Sequence, residues 1–165
     1  MSAAWWTPAY IALGSNLDSP QLQIKRALQA LTTLPDTHLV LQSALYQSQP
    51  LGPQDQPPFI NAVVGVLTQL TALQLLSELQ RTEQQLGRVP PPVRWGPRSI
   101  DLDILLHDDS RSDTAQLQLP HPGIATRNFV VVPLAEIAPT LTIPGEGTVL
   151  LLAQRLGNNG LVRLS

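Results

Sequence analysis

Residues 99–107, read as Ser99-Ile100-Asp101-Leu102-Asp103-Ile104-Leu105-Leu106-His107, alternate apolar and acidic side chains before closing on an apolar run. A period of two marks a strand, with Ile100, Leu102 and Ile104 turned to a core and Asp101 and Asp103 sharing the opposite face. Working back from it, residues 71–86 carry Leu75, Leu76 and Leu79 at helical spacing, with Gly87 as a stop. Residues 59–67 before that helix are rich in β-formers. The segment 47–58 (QSQPLGPQDQPP) is a long loop of the kind that compact domains keep for function. Residues 38–46 read as one extended strand, with Leu39, Leu41 and Leu45 on one face. A helix opens at Ser19-Pro20, with Ser19 as N-cap, and repeats Ile24, Ala27, Leu28 and Leu31 on one side. Residues 7–13 form the first strand, ending in a turn at Gly14-Ser15-Asn16.

The order is strand, helix, strand, strand, helix, strand. That is the α+β, ferredoxin-like (βαββαβ) pattern, in which helices pack on one face of an antiparallel sheet. C-terminal additions follow: a turn at 120–123, a helix over 130–137 and an apolar segment over 149–156. No repeat or linker divides the 165 residues, so a single domain is expected.

Composition removes several function classes. The chain has no cysteine, a net charge of −2 and no run long enough to span a bilayer. Nucleic acid and membrane are not expected partners, and a start without a basic, apolar leader leads us to expect a cytoplasmic protein. Lys25 is the only lysine, so the positive charge is nearly all arginine, the residue suited to forked contacts with phosphate.

Asp101 and Asp103 repel each other on one strand face unless a cation sits between them, and hard, oxygen-seeking Mg²⁺ fits that need. A solvated polar face is the other reading of a bare Asp-x-Asp. Arg94, Trp95 and Arg98 just upstream, with Arg88 on the preceding loop, favour a nucleotide polyphosphate site. No P-loop motif is present. Phe59 and Asn61 share a strand face after the long loop, which suits a planar heterocycle with a mixed hydrogen-bonding edge or, equally, ordinary packing. His121 is held between prolines ahead of Arg127 and Phe129, within reach of a phosphate. Gln80 and Glu83, one helical turn apart, either contact nucleotide or are solvated, and His38 and His107 read as surface residues.

Five ordered stretches, YIALGSNL (10–17), PLGPQDQPPFINAV (50–63), RTEQQLGRV (81–89), RWGPRSIDLDILL (94–106) and LPHPGIATRNFVVVPLAEIAP (119–139), give the chain a resemblance to the 6-hydroxymethyl-7,8-dihydropterin pyrophosphokinases. The resemblance implies a ferredoxin-like fold and transfer of pyrophosphate from ATP to the pterin hydroxymethyl group, releasing AMP, in folate synthesis. It implies two Mg²⁺ ions on Asp101 and Asp103, with Arg88 and Arg98 beside them as catalytic residues. The pterin would lie between Phe59 and Phe129, with Asn61, Ser48, Leu51 and Trp95 around it. Gln80, Glu83, Arg88, Trp95, Arg98, Ile104, His121 and Arg127 would meet ATP. Pro90-Pro91-Pro92 departs from the basic loop of some family members, which implies a stiffer lid over the nucleotide. Nothing demands more than a monomer. A different Asp-x-Asp metal-dependent transferase would turn over a nucleoside-diphosphate donor without needing Phe59 or Asn61, and a non-catalytic ferredoxin-like binding module would form no product.

Overall fold

The computed structural model describes residues 5–87 and 99–164. Its elements are β1 (Thr7–Ser15), α1 (Pro20–Leu31), β2 (Thr37–Gln42), β3 (Leu45–Ser48), β4 (Phe59–Thr68), α2 (Ala72–Gln85), β5 (Asp101–His107), β6 (Ser112–Asp113), β7 (Gln118–Leu119), α3 (Asn128–Ile137), β8 (Thr142–Ile143), β9 (Gly147–Thr148), α4 (Val149–Leu156) and β10 (Leu161–Leu164). The main sheet runs β10-β3-β4-β1-β5, with β2 also on β4, and the pairs are antiparallel. Among the described residues the molecule is thus a mixed α/β structure with four helices around a mostly antiparallel sheet.

Strand alternation sorts the core into two layers. Ala9, Ile11 and Leu13 of β1 pack with Ile24, Ala27 and Leu31 of α1 and Leu75 and Leu79 of α2. The opposite face of the sheet is covered too, where Val63 and Leu105 pack with Val130, Val131 and Leu134 of α3 and Leu152 of α4. Helices on one face were expected; the C-terminal additions instead build a second apolar layer. The physical reason lies in β4, where Ile60 through Val66 is continuously buried, as a strand covered on both faces must be.

Three local expectations are corrected. Residues 38–46 are not one strand: β2 and β3 lie end to end along β4 and are interrupted at Ser43-Ala44. There the Ser43 N–H donates to the Val63 carbonyl at 2.9 Å, while the Val63 N–H turns to Ser43 Oγ at 3.0 Å, so a side chain replaces a rung of the ladder. Gly14 and Ser15 continue β1 instead of turning, because both neighbouring strands extend alongside them, Gly14 facing Asn61 on one side and Asp101 on the other. His107 is buried, its Nε2 3.0 Å from the Leu70 carbonyl, while exposed His38 stacks with Trp6 at a 4.8 Å ring separation.

Helix ends follow sequence with one adjustment. Ser19 holds the N-cap position of α1, but its side chain makes no cap; Gln23 Nε2 donates back to the Asp18 carbonyl at 3.0 Å instead. A capping box between Thr71 and Gln74 opens α2, and Gly87 follows its end at φ +89°, where a side chain would be strained.

Candidate functional site

The site grows out of the point where β4, β1 and β5 run side by side. Asp101 and Asp103 are half-buried on β5, opposite Gly14 and Ala12 of β1, and both line a cavity of about 420 Å³. Gly14 lines its floor, where a Cβ would come into ordinary contact with Asn61 Oδ1 at 3.5 Å and Phe59 Cδ1 at 4.0 Å and take up cavity space. Asn61 is buried, and its Nδ2 donates to Ser48 Oγ at 2.7 Å, which fixes the amide and leaves its carbonyl oxygen over Gly14. Ser48 and Phe59 pair across β3 and β4 and line one wall with exposed Leu51. Phe129 and Val130, in the first turn of α3, line the other.

His121 and Arg127 complete the rim. The His121 Nδ1 accepts from the Gly123 N–H at 3.0 Å, so the ring proton sits on Nε2, a fixed donor. Burial and then the Arg127 charge push the imidazole below its usual value, against an opposing pull from Asp101, so it stays neutral at neutral pH. Gly123 has a second consequence. A Cβ on it would fall 2.5 Å from Arg127 Nε and 2.7 Å from its Cζ, so the arginine lies folded over that glycine.

The motif GSN ties loops to this floor. Ser15 Oγ donates to the Ser99 carbonyl at the entry to β5. Asn16, buried, donates through Nδ2 to Gln56 Oε1 and to the Pro57 carbonyl, each at 2.9 Å, holding the end of the long loop.

Of the residues singled out in sequence, Ser48, Leu51, Phe59, Asn61, Asp101, Asp103, His121, Arg127 and Phe129 line one cavity. Gln80, Glu83 and Ile104 do not. Gln80 is exposed, and the Ile104 side chain packs into the α1–α2 core. Glu83 is not solvated: it is buried, and its Oε2 accepts the Leu102 N–H at 2.8 Å, bracing β5 from α2. Arg88, Trp95 and Arg98, with Arg94 and Pro90-Pro91-Pro92, lie outside the described residues. Sequence reasoning missed Gly14 and Gly123 as spacers. Both glycines were legible only as turn residues, Gly14 in the turn expected at 14–16 and Gly123 in the turn expected at 120–123, so their role as spacers passed unseen.

A half-open cavity pairing aromatic walls with strand carboxylates marks a small-molecule site in a mixed α/β protein. Residues 10–139 match the family model described as 7,8-dihydro-6-hydroxymethylpterin-pyrophosphokinase. A Haemophilus influenzae 2-amino-4-hydroxy-6-hydroxymethyldihydropteridine pyrophosphokinase is 46% identical over 157 residues, covering 95% of this chain and 98% of that protein. The Pseudomonas aeruginosa protein of the same name is 50% identical over 135 residues, 82% of this chain and 83% of that one. Among solved structures, a Plasmodium falciparum HPPK-DHPS with pterin and p-hydroxybenzoate is similar in fold, with a TM-score of 0.76 at 13% identity. That match covers 98% of this chain, which spans about half (48%) of that longer one. The chain belongs to the 7,8-dihydro-6-hydroxymethylpterin-pyrophosphokinase family.

Proposed function

We propose that this chain transfers pyrophosphate from ATP to the hydroxymethyl group of 6-hydroxymethyl-7,8-dihydropterin, releasing AMP. One observation carries the reading: Phe59, Phe129 and Asn61, which suit a flat heterocycle, line the same cavity as Asp101 and Asp103, which suit a metal–phosphate complex. The pterin ring lies between Phe59 and Phe129, with its pyrimidine edge against Asn61 and with Ser48 and Leu51 closing the wall. Trp95 is assigned to the same ligand in this reading. The ring's substituent then points toward β5 and the arriving triphosphate.

Two carboxylates on one strand face fit magnesium. Among the described residues no group of three or more His, Cys, Asp or Glu side chains is placed to hold a metal ion. Water and phosphate oxygens would complete the coordination, as magnesium prefers, with Asp101 and Asp103 as the residues that would hold two ions. The chemistry such ions supply is neutralisation of charge on the phosphate oxygens. The protein's share is placement. Arg127, with Arg88 and Arg98, meets the triphosphate, and neutral His121 donates through Nε2 to a phosphate oxygen. Gln80, Glu83, Trp95 and Ile104 belong to the nucleotide side in this reading, Ile104 through its backbone. The substrate alcohol attacks the β-phosphorus in line, the bond from that phosphorus to the bridging oxygen breaks to release AMP, and the alcohol proton passes to solvent, with proximity and electrostatics lowering the barrier.

The strand order supports a ferredoxin-like description of residues 7–107, with the whole chain as one domain. We read it as a cytoplasmic monomer acting on these two small molecules. The test is product analysis with ATP, Mg²⁺ and 6-hydroxymethyl-7,8-dihydropterin. Pterin-dependent AMP is expected. ADP would make the protein an ordinary kinase, and no nucleotide product from folded, pterin-binding protein would make it a binding module.

A further inference from the structure

The motif PLAEIAP near the end of α3 carries one acidic residue, Glu136, that lies well away from the cavity yet holds three separate segments together. Its Oε1 accepts from the Tyr46 hydroxyl at 2.6 Å. Its Oε2 accepts the Ala44 N–H at 3.0 Å, at the interruption between β2 and β3, and lies 3.7 Å from Arg163 of β10. Tyr46 is buried and sits directly opposite Asn61 across β3 and β4, on the same face of β3 as Ser48 two residues on.

The position of Glu136 along its helix makes this arrangement more than a fastening. Phe129 and Glu136 are seven residues apart on α3, so they lie on one helix face, roughly 10 Å apart along the axis. One end of that face supplies the Phe129 wall of the cavity. The other is bonded to the strand that supplies the facing wall, Ser48 and, through β4, Phe59 and Asn61. The separation of the two walls is the dimension a flat ring must match.

We infer that Glu136 is a positioning residue: bonded to Tyr46 and the Ala44 N–H, it sets the gap between Phe129 on α3 and the β3–β4 wall, and so sets affinity for the heterocycle. The same carboxylate engages β10, which pairs with β3 from Leu161↔Ser48 to Leu164↔Leu45, so the C-terminal strand, beyond the segment matched by the family model, braces the same wall. This inference rests on the cavity being the pterin pocket.

The experiment compares wild type, Glu136→Ala, Glu136→Gln and Tyr46→Phe by direct binding of 6-hydroxymethylpterin, by steady-state kinetics and by thermal melting. Glu136→Ala is expected to weaken pterin binding about tenfold, the scale of losing an ordinary hydrogen bond or two from a buried network. The pterin KM should rise with it, while kcat at saturation and the ATP KM stay within about twofold. Glu136→Gln, which keeps one acceptor, should recover part of the affinity. Tyr46→Phe, which keeps the ring and so the packing, should reproduce part of the loss even where Glu136→Ala fails to fold. Variants that melt earlier but bind pterin with wild-type affinity would overturn the positioning role and leave Glu136 a structural fastener. Wild-type protein that does not bind the pterin at all would instead overturn the functional reading on which the inference stands.

Discussion

At the scale of single residues, the site depends as much on missing side chains as on those that reach into it. Gly123 shows this most directly, because the Arg127 side chain occupies the space a Cβ would need. Gly123→Ala should displace a flexible arginine, not the backbone, so the fold should hold while the nucleotide KM rises severalfold; an unchanged KM would show that Arg127 does not engage nucleotide from this position. Phe129→Ala tests the wall from the other side, and loss of one stacking partner should weaken pterin binding by roughly 1–3 kcal/mol, by analogy with bases on aromatic side chains. An effect confined to ATP would move that ring out of the pterin pocket. The side chains gathered here were legible in sequence because carboxylates, rings and a proline-held histidine announce their chemistry by type. The spacers were not, since a glycine inside a strand or short loop has many possible reasons, and its reason appears only when the neighbouring atoms do. Glu83 shows a related limit: on a helical wheel it is a polar position, open to nucleotide contact or to solvent, and only the tertiary fold brings the Leu102 N–H to its carboxylate.

Among elements, the strands and helices with a clear period were readable, and the errors fall where tertiary groups replace local ones. Nothing in Ser43-Ala44 marks a strand break; it is made by Ser43 Oγ and by Glu136, which stands 92 positions beyond Ala44. The terminal strand β10 passed unread although Gly157-Asn158-Asn159-Gly160 is a plain turn signal ahead of it, because four residues are too few to show a period. The Tyr46–Glu136 bond that joins α3 to β3 also carries a pH signature. Burial, then the bond to Glu136 and the nearby negative charge, raises the phenol from its usual 10.0 to about 12. Between those values the folded state keeps a proton that the unfolded chain has released, so the stabilisation is complete below pH 10 and is lost as pH rises toward 12. Tyr46→Phe should therefore flatten the alkaline fall in the urea midpoint relative to wild type. Parallel slopes in the two proteins would mean the phenol titrates normally and the bond is weaker than its geometry suggests.

For the whole molecule, the two apolar layers give the sheet a rigid frame, and the cavity opens where α3 leaves the strand ends beneath it uncovered. The expected fold placed helices on one face only, since residues 7–107 alone do not say where the later helices pack. With both faces covered, ligands should register as stabilisation of the entire fold, and the two substrates should differ in what they require. The described residues assigned to the pterin, Ser48, Leu51, Phe59, Asn61 and Phe129, carry no formal charge, so 6-hydroxymethylpterin should raise the melting temperature with or without metal. At a hundredfold excess over its Kd the gain is about 2.7 kcal/mol, roughly 5–10 °C for a chain of this size. A triphosphate approaching Asp101 and Asp103 meets like charge, in a protein whose net charge is already −2. A non-hydrolysable ATP analogue should therefore stabilise the fold with Mg²⁺ and lose most of that effect in EDTA, and Asp101→Asn combined with Asp103→Asn should abolish the metal dependence. A nucleotide shift of the same size with and without magnesium would separate the carboxylate pair from the nucleotide, whereas a metal-dependent shift that vanishes in the double variant ties the cation, the phosphates and β5 into one site.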